Sequence, residues 1–425
     1  MLDIRFVREN SEEVKEKLRT KGMPGDLIDQ LLEIDARRRD LQSKSDEMKK
    51  KRNERSREIG ALIKRGEDPT SQKEEIRKLS DNIKENDSML KSLETDQHQL
   101  LLSIPNLPHE GAPVGQSEED NVFVSEWGEK PSFDFDPKPH WDLGEELDLL
   151  DFPRATKLSG AHFSLLKADL ARLERALMAW MIDLHVKEHA FVEVAPPYLV
   201  TRQTMTGTGQ LPKLEEDMYR CEVDDLFLIP TAEVPVTNIH KDEILNAIEL
   251  PVYYVACTPC FRREAGSYGK ETRGLTRMHQ FNKVELVKLV LPETSYDELE
   301  SLRRNAEEVL RRLGLHYRVL ELCTADLSFA AARCYDLEVW APGMKRYLEV
   351  SSCSNFEDFQ ARRIGIKFRR KEGEKPELVH TLNGSGLALP RTIIALLETY
   401  QNPDGSITIP DPIRPYFGAD AIGKK

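Results

Sequence analysis

The 425-residue chain is poor in cysteine, with only six, irregularly spaced. A small secreted fold held together by disulfides would need a denser, paired set, so the sequence predicts reduced thiols. Cys257 and Cys260 form a single CxxC pair. A structural zinc site would need a second pair, and a redox motif would need a thioredoxin-like context. We therefore interpret the pair as small buried residues at a strand end.

Long apolar runs are also missing. The first ten residues, MLDIRFVREN, contain no apolar core of signal-peptide length, and no later run is long enough to span a bilayer. The formal net charge is −13, from 61 basic and 74 acidic residues. This excess of acid argues against a general nucleic-acid binder, although the distribution of charge matters more than its sum. We expect a cytoplasmic protein with no membrane partner and two or three domains.

One polar loop between two predicted strands concentrates positive charge. The flanking runs are residues 252–257 and 281–290, and the basic residues between them are Arg262, Arg263, Lys270, Arg273 and Arg277. Guanidinium groups grip phosphate oxygens in a two-pronged geometry that lysine lacks. Gly266, Gly269 and Gly274 let the loop bend and let a ligand approach the backbone. The loop is therefore predicted to bind an anion, and a solvated basic turn is the alternative.

The residues that flank this loop add detail to the prediction. Alternating positions would place Arg262 and Glu264 on one face of a strand. Phe281, on the far arm, is either a flat surface on which a base stacks or a core aromatic. The run from Phe261 to Glu264 resembles the FRxE of motif 2 in class II aminoacyl-tRNA synthetases. The longer run TRGLTRMHQF is similar to the seryl-tRNA synthetase form of that motif, and we place Arg273 and Arg277 of this loop among the residues that contact tRNA.

The N-terminal part of the chain has a seven-residue period. Residues 1–22 predict one short helix, and residues 24–26 break it. Heptad positions then follow in two segments, separated by residues 66–69. The first segment has the series Leu27, Ile34, Leu41, Met48, Arg55, Leu62 and Leu31, Arg38, Ser45, Arg52, Ile59; the second has Ile76, Ile83, Leu90, Gln97 and Leu79, Asn86, Leu93, Leu100. Such a pattern predicts an antiparallel coiled-coil hairpin. At ~1.5 Å per residue each helix would reach roughly 50–60 Å, so we expect the hairpin to project.

The outgoing helix of the hairpin carries an excess of basic residues, which suits the phosphates of a polyanion. Charged flanks of an ordinary coiled coil are the alternative. The hairpin resembles the tRNA-binding domain of seryl-tRNA synthetases, which implies contact with the double-helical variable arm of tRNA-Ser through shape and phosphates. The implied contacts are Arg38, Lys44, Lys51, Arg52 and Arg55. Residues 1–103 are thus predicted to be a tRNA-binding arm and the Pro-, Gly- and acid-rich residues 104–139 a linker.

Residues 140–425 are predicted to form the catalytic domain. An amphipathic helix over residues 166–184, a strand at 191–194 and Pro197 resemble class II motif 1, which builds the dimer interface in that family. The family usually has glycine at the position of Ala190. The resemblance implies an α+β fold, in which the coiled-coil arm precedes an antiparallel β-sheet flanked by helices, and it implies a homodimer.

Two further segments resemble the serine-binding parts of that family. Thr231, Ala232 and Glu233 resemble the TxE loop that binds the α-amino group of the substrate, although Thr231 would equally suit a helix N-cap. Glu285 lies four residues after Phe281 on the same predicted strand and hence on the same face. A buried carboxylate there must have a partner. The resemblance assigns Glu285, together with Ser385, to L-serine.

The remaining motifs imply an ATP site. Glu349 and Ser352 offer hard oxygen ligands that suit Mg²⁺ on ATP phosphates, although Glu349 is alternatively an ordinary strand-end carboxylate. Arg391 opens a predicted helix, where arginine is electrostatically out of place unless it meets an anion, and it matches the motif 3 arginine that binds the γ-phosphate. The implied ATP-binding residues are Arg262, Arg263, Glu264, Phe281, Glu349, Val350, Ser351, Ser352 and Arg391.

The resemblance implies a two-step reaction. The serine carboxylate attacks the α-phosphate of ATP, and the 3′-terminal hydroxyl of tRNA-Ser, with tRNA-Sec a further expected substrate, then attacks the seryl carbonyl. Catalysis would consist of positioning and charge neutralisation: Arg262 would hold the α-phosphate, and Glu264 and Phe281 the adenine. One alternative is an enzyme that loads a carrier protein, but such relatives lack the long arm. A non-enzymatic coiled-coil scaffold is the other, and it needs none of the paired Arg and Glu residues.

Overall fold

The computed structural model describes residues 1–265 and 273–423. Gly266, Gly269 and Lys270 of the basic loop therefore lie outside the described residues. The chain divides into two compact units, Met1–Pro105 and Asn106–Lys425. The boundary falls within the Pro-rich stretch that follows the second heptad segment.

The first unit is helical, and its two long helices form the predicted antiparallel coiled coil. Its helices are α1 (Ile4–Glu9), α2 (Ser11–Thr20), α3 (Asp26–Arg65) and α4 (Thr70–Ser103). Asp35 on α3 contacts Gln97 on α4, and ten residues further along α3 Ser45 contacts Asp87, so α4 runs backwards along α3. The heptad positions are buried or half-buried on both helices except at Arg55, which is exposed.

The ends of these helices follow local backbone preferences. α3 ends at Gly66, whose φ of 74° is in the left-handed region where glycine carries no steric cost. The single helix predicted over residues 1–22 is instead two helices, because Asn10 has φ −128° and ψ 39° and interrupts the backbone hydrogen-bond ladder between α1 and α2. Its side chain donates to the carbonyl of Phe6, which is the local competition that makes asparagine a poor helix former.

A buried carboxylate lies in the seam of the first unit. Asp35 is fully buried and accepts hydrogen bonds from Arg8 at 3.0 Å, Gln97 at 3.1 Å and Arg38 at 3.2 Å. Burial opposes its ionisation, but the hydrogen bonds from Arg8, Gln97 and Arg38 outweigh burial and lower the pKa of Asp35. The carboxylate therefore ties α1, α3 and α4 together.

We expect Asp35→Ala to destabilise the first unit by about 3 kcal/mol, because the partners of a buried carboxylate are left without it. Calorimetric unfolding of the full chain measures this loss. Because the folded-state pKa is lowered, the contribution is fully present above the unfolded pKa near 4 and disappears as pH falls through the folded value. Asp40→Ala, which removes an exposed pair with Lys44, is the control and should cost about 1 kcal/mol or less. Equal losses for the two variants would contradict the prediction.

The second unit contains nine helices and sixteen strands in its described residues. The helices are α5 (His140–Glu146), α6 (Phe152–Ser159), α7 (Ala168–Glu188), α8 (Arg202–Thr208), α9 (Glu233–Thr237), α10 (Ser295–Arg312), α11 (Phe359–Ile364), α12 (Leu389–Thr399) and α13 (Arg414–Phe417). The strands are β1 (Val122–Trp127), β2 (Val192–Glu193), β3 (Leu199–Thr201), β4 (Arg220–Cys221), β5 (Leu226–Leu228), β6 (Ile244–Asn246), β7 (Val252–Phe261), β8 (Gln280–Val290), β9 (Tyr317–Glu321), β10 (Arg333–Ala341), β11 (Arg346–Asn355), β12 (Lys367–Arg369), β13 (Glu377–Leu378), β14 (His380–Ala388), β15 (Ile407–Thr408) and β16 (Ala421–Ile422).

An eight-stranded sheet is the framework of this unit. Its strand order is β1-β9-β10-β11-β14-β8-β7-β2, and neighbouring strands are antiparallel except the short β2, which runs parallel to β7. Helices α7, α10 and α12 pack against the sheet, and the main core lies between them. The predicted antiparallel sheet flanked by helices is therefore confirmed. Strands β8, β11 and β14 and the residues directly after β7 bring most of the predicted ATP- and serine-binding residues to one region.

Residues 106–139, most of the predicted linker, are packed into the second unit. β1 pairs with β9 and forms one edge of the sheet. The buried side chain of Asn106 donates to the carbonyls of Ala330 and Phe356, both at 2.9 Å. These contacts join residues more than two hundred positions apart, which is why the Pro- and acid-rich composition of the segment does not reveal them.

The segment that resembles motif 1 has the predicted order of helix, strand and proline. α7 extends to Glu188, four residues further than predicted, and Ala190 follows with φ 59°. A left-handed backbone costs a non-glycine residue roughly 1–2 kcal/mol, which explains why glycine suits this position. Over residues 1–265 and 273–423, none of the helices has the length and apolar character that a bilayer crossing demands.

Candidate active site

A cleft of about 650 Å³ in the second unit gathers most of the predicted site residues. Its walls come from β8, β11, β14, the N-terminal end of α12 and the segments on either side of the β7–β8 loop. The predicted residues that line it are Thr231, Glu233, Arg262, Glu264, Arg277, Phe281, Glu349, Val350, Ser352, Ser385 and Arg391. Two arginines that are 129 positions apart in the sequence thus reach one cavity, as the resemblance implied.

Arg262 and Glu264 reach the cleft by a different route from the predicted one. β7 ends at Phe261, and Glu264 has φ 51°, so the prediction that both residues lie on one face of a strand is wrong. The backbone turns out of the sheet instead. The Arg262 guanidinium lies 5.4 Å from the ring centre of Phe281, and Arg277 donates to the Glu264 carboxylate at 3.0 Å. Phe281 both packs against the core and lines the cleft.

The positive charges of Arg391 and Arg262 both stabilise the ionised carboxylate of Glu349. Arg391 lies in the first turn of α12, and its Nη1 donates to the carbonyl of Glu349 at 2.6 Å and to its carboxylate at 3.2 Å. The Glu349 side chain is 46% exposed, towards the cleft. Desolvation by the cleft walls raises its pKa, but the charges of Arg391 and Arg262 outweigh this and lower the pKa of Glu349. The two arginines therefore make one positive region around an ionised carboxylate.

A β-bulge in β11 explains how Glu349 and Ser352 share the cleft. Residues three positions apart in a regular strand point to opposite faces. Leu337 of β10 pairs with Ser351 of β11, and the next residue of β10, Glu338, pairs with Glu349. Val350 lies between the two paired residues of β11 and is therefore the extra residue. A bulge shifts the alternation of side chains by one. Glu349 and Ser352 consequently both line the cleft.

Asp336 is a cleft residue that was not predicted from the sequence. It lies on β10 opposite Ser352 and lines the same part of the cavity. Burial, followed by the neighbouring charge of Glu349, raises the pKa of Asp336 well above its usual range. Asp336 thus faces the Ser352 hydroxyl and neighbours the Glu349 carboxylate, whose charge is balanced in part by Arg391 and Arg262. The pairing of β10 with β11 would have been the sequence signal for it.

The other end of the cleft is acidic and fully hydrogen-bonded. Thr231 donates to Glu285 at 2.8 Å, and its hydroxyl also accepts from the backbone N–H of Glu233 at 3.2 Å. The N-cap of α9 is Ala232 rather than Thr231, so the alternative of Thr231 as a helix N-cap is wrong. Asn383 donates to Glu233 at 2.9 Å and to Glu285 at 3.2 Å. Lys283 forms an ion pair with Glu285. Lys283 and Asn383 lie on β8 and β14 near predicted residues, but neither was itself predicted from the sequence.

The charge of this acidic end is only partly compensated. Burial and the charge of Glu285 raise the pKa of Glu233 to about 7, although Gln360, Lys283 and Arg262 oppose the shift. A group that binds here and carries a positive charge would remove the repulsion between the two carboxylates. The pocket is therefore suited to an ammonium group.

The remaining predicted residues of the second unit, including the buried Glu285, lie beside the cleft rather than in its lining. Ala232 is buried as the N-cap of α9. Ser351 is buried, and its hydroxyl donates to the carbonyl of Ser385 at 2.7 Å. The backbone N–H of Arg263 donates to the carbonyl of Asp217. Arg273 lies 4.7 Å from the ring centre of Trp141.

The basic residues predicted to contact tRNA on the arm lie in the first unit. Most of them are paired with carboxylates of the same helix: Arg38 with Asp35, Lys44 with Asp40, Lys51 with Glu47 and Arg55 with Glu58, while Arg52 is half-buried. Apart from the pair of Arg38 with the buried Asp35, these are exposed pairs, which are weak and exchange readily. Phosphates of a nucleic acid would compete with these carboxylates for the same cations.

The CxxC pair lies on β7 and is reduced. Cys260 is buried and Cys257 half-buried. Burial, the neighbouring thiol of Cys260 and nearby carboxylates raise the pKa of Cys257 to about 12, so it is not an activated thiol. Among the residues that the structure describes, no group of three or more His, Cys, Asp or Glu side chains has the arrangement of a metal site.

Two family models match the chain. The model of the seryl-tRNA synthetase N-terminal domain matches residues 1–108, and the model of the tRNA synthetase class II core domain (G, H, P, S and T) matches residues 218–400. Among curated proteins, the chain is similar to a serine–tRNA ligase of Geotalea uraniireducens, with 58% identity over 98% of this chain and 99% of the relative. A serine–tRNA ligase of Listeria welshimeri has 56% identity over 98% of both chains.

Solved structures give the same result. The seryl-tRNA synthetase of Pyrococcus horikoshii, solved in complex with ATP, superposes with a TM-score of 0.95 at 38% identity and covers 100% of both chains. The SerRS of M. kandleri, solved in complex with A. aeolicus tRNASec, has a TM-score of 0.56 at 18% identity over 80% of this chain and 68% of that one, which shows the shared fold alone. With both of its domains matched and relatives above 55% identity over nearly their whole length, the chain belongs to the seryl-tRNA synthetase family.

Proposed function

We propose that this protein activates L-serine with ATP and transfers the serine to the 3′ end of tRNA-Ser. The observation that carries the proposal is the convergence of Arg262 and Arg391 on Glu349 in one cleft whose other end is an acidic pocket. An anionic nucleotide suits the first end and an amino acid's ammonium group suits the second. The two reactants would meet between them.

At the nucleotide end, Arg262 binds the α-phosphate and Arg391 the γ-phosphate. Arg391 is held in place by Glu349, and its position in the first turn of α12 adds the positive end of the helix dipole. Glu264 contacts the adenine, and Phe281 provides a stacking surface beside Arg262. Val350 lines this end, Arg263 supports it through its backbone N–H, and Ser351 supports it through its side-chain hydroxyl.

At the amino-acid end, Glu233 and Glu285 bind the ammonium group of serine. Binding of a cation would lower the raised pKa of Glu233, so the carboxylate and the substrate stabilise each other. Thr231 orients Glu285. Ser385, two residues after Asn383 on β14, offers a hydrogen bond to the serine hydroxyl, and a site built for a hydroxyl rejects alanine because its own polar groups are then unpaired.

The residues at the nucleotide end also fit a magnesium ion that arrives with ATP. Glu349 and Ser352 would hold it, and Asp336 lies close enough to take part, since all three offer the hard oxygen ligands that Mg²⁺ prefers. The geometry supports this fit, because Asp336 lies opposite Ser352 across β10 and β11 and lines the same cleft as Glu349. When bound, the ion would neutralise charge on the phosphates.

The chain's own residues perform the first step by positioning. A serine carboxylate oxygen forms a bond to the α-phosphorus of ATP while the bond to the bridging oxygen breaks, and pyrophosphate leaves with that electron pair. The carboxylate is already a nucleophile, so no general base is needed, and Arg262 neutralises the charge of the reacting phosphate. In the second step, the terminal hydroxyl of tRNA attacks the seryl carbonyl and AMP leaves.

The first unit binds tRNA-Ser in this proposal. The exposed pairs of Lys44, Lys51 and Arg55 would exchange their carboxylates for phosphates of the variable arm, while Arg38 and Arg52 flank them on α3. Arg273 and Arg277 would meet the acceptor end beside the cleft. Three points stay predictions. The protein also attaches serine to tRNA-Sec, and it is cytoplasmic. Residues 1–103 are the tRNA-binding arm, residues 104–139 a linker and residues 140–425 the catalytic domain.

The second unit also has the features of a homodimer interface. Apolar side chains are exposed around the end of α7 and on the strands that follow it: Val192 is 58%, Leu199 46% and Tyr198 44% exposed. An exposed apolar group of this kind is typical of an interaction surface. We propose that a second copy of the chain covers it.

Amino-acid-dependent pyrophosphate exchange, run with each of the twenty amino acids, tests the proposed function. We expect exchange of label into ATP with serine and much weaker exchange with alanine or threonine. Exchange stimulated by another amino acid in preference to serine would contradict the substrate assignment. Exchange with serine but no transfer to tRNA would instead favour an enzyme that loads a different carrier.

A further inference from the structure

The fully buried carboxylate of Glu398, at the end of α12, accepts three hydrogen bonds from N–H groups at the start of α5 and in the β10–β11 turn. Glu398 and His140 both have no exposed side-chain surface. The Glu398 carboxylate accepts from the backbone N–H of His140 at 2.8 Å and from the backbone N–H of Met344, in the β10–β11 turn, at 3.0 Å. Nδ1 of His140 lies 3.0 Å from the same carboxylate. No part of the proposed reaction uses this pair.

The other ring nitrogen of His140 holds the basic loop. The backbone N–H of Leu275, a buried residue on the loop's return arm, donates to Nε2 of His140 at 3.0 Å. Because Nε2 accepts, the proton is on Nδ1, which donates to Glu398. The fit is tight at Gly274, where a Cβ atom would lie 2.1 Å from Nε2. Glycine is required there by this contact and by its φ of 72°.

The next two residues of α5 contact the same return arm. The ring of Trp141 lies 4.7 Å from the Arg273 guanidinium, and the Asp142 carboxylate lies 3.5 Å from it. Three consecutive residues at the start of α5 therefore fix residues 273–275. Residues 275–278, immediately beyond, line the cleft.

α12 holds this return arm at two points. Near its start, Nε of Arg391 donates to the carbonyl of Thr276 at 3.4 Å. Near its end, seven residues after Arg391, Glu398 accepts a hydrogen bond from the His140 ring, which in turn accepts one from the backbone N–H of Leu275. We propose that the buried Glu398–His140 pair is a positioning device that fixes the return arm of the basic loop relative to Arg391, so that the two walls of the nucleotide site keep one geometry.

This inference rests on the proposed function, because its readout is the binding of ATP. In His140→Ala the Leu275 N–H loses its partner in a buried site, and we expect the KM for ATP in serine-dependent exchange to rise about tenfold. The KM for serine should change less than about twofold, since Glu233 and Glu285 lie at the other end of the cleft. His140→Gln should restore the KM for ATP to within about threefold, because its amide donates to Glu398 and accepts from Leu275.

His316→Ala is the matched control. His316 is also buried and also makes two hydrogen bonds, to the Gly128 carbonyl and to Tyr347, but neither of them reaches the loop. It should lower the melting temperature without raising the KM for ATP. Equal KM values for ATP in the two alanine variants, or a parallel rise in the KM for serine, would overturn the positioning role. A wild-type chain without any exchange would instead overturn the proposed function, and this inference with it.

Discussion

Replacement of Arg262 by alanine is expected to abolish serine-dependent pyrophosphate exchange, with a fall of at least about 10²–10³-fold in kcat. The guanidinium lies in the cleft against Phe281 and is anchored by the Pro230 carbonyl at 3.3 Å. It neutralises the charge of the phosphate that the serine carboxylate attacks. Its removal therefore raises the free energy of the transition state. Exchange assays over a range of ATP concentrations separate this fall in kcat from weaker binding.

Arg262→Lys is the informative companion variant. It keeps the positive charge but loses the planar, two-pronged geometry and the stacking on Phe281. We expect it to retain part of the activity, between the wild type and Arg262→Ala. Exchange at the wild-type rate in Arg262→Ala, with the melting temperature unchanged, would remove the phosphate role from Arg262.

Shortening the arm is expected to separate the two steps of the reaction. Replacement of residues 41–91 by a four-residue Gly-Ser turn cuts the coiled coil at matching levels of α3 and α4, because Asp35 faces Gln97 and Ser45 faces Asp87. The buried cluster around Asp35 is kept. Serine-dependent exchange should stay near the wild-type rate, whereas charging of tRNA-Ser should fall about a hundredfold or more, since four of the five arm cations assigned to its phosphates are removed.

A charge variant with an arm of full length is the control for this deletion. Substitution of Gln for Lys44, Lys51, Arg52 and Arg55 keeps the coiled coil and removes four cations. The salt dependence of tRNA binding should become shallower, by about one unit of slope for each phosphate that is no longer neutralised. Charging by the shortened chain at the wild-type rate would refute the role of the arm, and an unchanged salt dependence would refute the phosphate-binding role assigned to these residues.

Periodicity and local motifs predicted much of this molecule. The heptads of the arm depend only on residues a few positions apart, so the coiled coil and its turn at Gly66 could be predicted from sequence. The same holds for Arg391 in the first turn of α12. Arg262 and Glu264 were expected on a strand because alternation is the default there. The positive φ of Glu264, which ends that geometry, has no sequence signal apart from the nearby glycines.

The residues that were missed are those whose role depends on strand pairing. Asp336 becomes a cleft residue because β10 lies beside β11 in one register, and Asn383 because β14 lies beside β8. His140 and Glu398 are 258 positions apart. Neither belongs to a motif that the sequence reveals, and each in isolation resembles an ordinary helix-end residue. Long-range register, rather than local preference, brings such side chains together.

The bulge at Val350 has a consequence for the evolution of this strand. Glu349 and Ser352 face the cleft together only because one surplus residue separates the two halves of β11. Deletion or insertion of a single residue between them would reverse the alternation of side chains along one half of β11. Side chains in that half that face the cleft would then face the core, and the reverse. Length variation among homologous chains should therefore be tolerated in the turn before β11 and absent from these four positions.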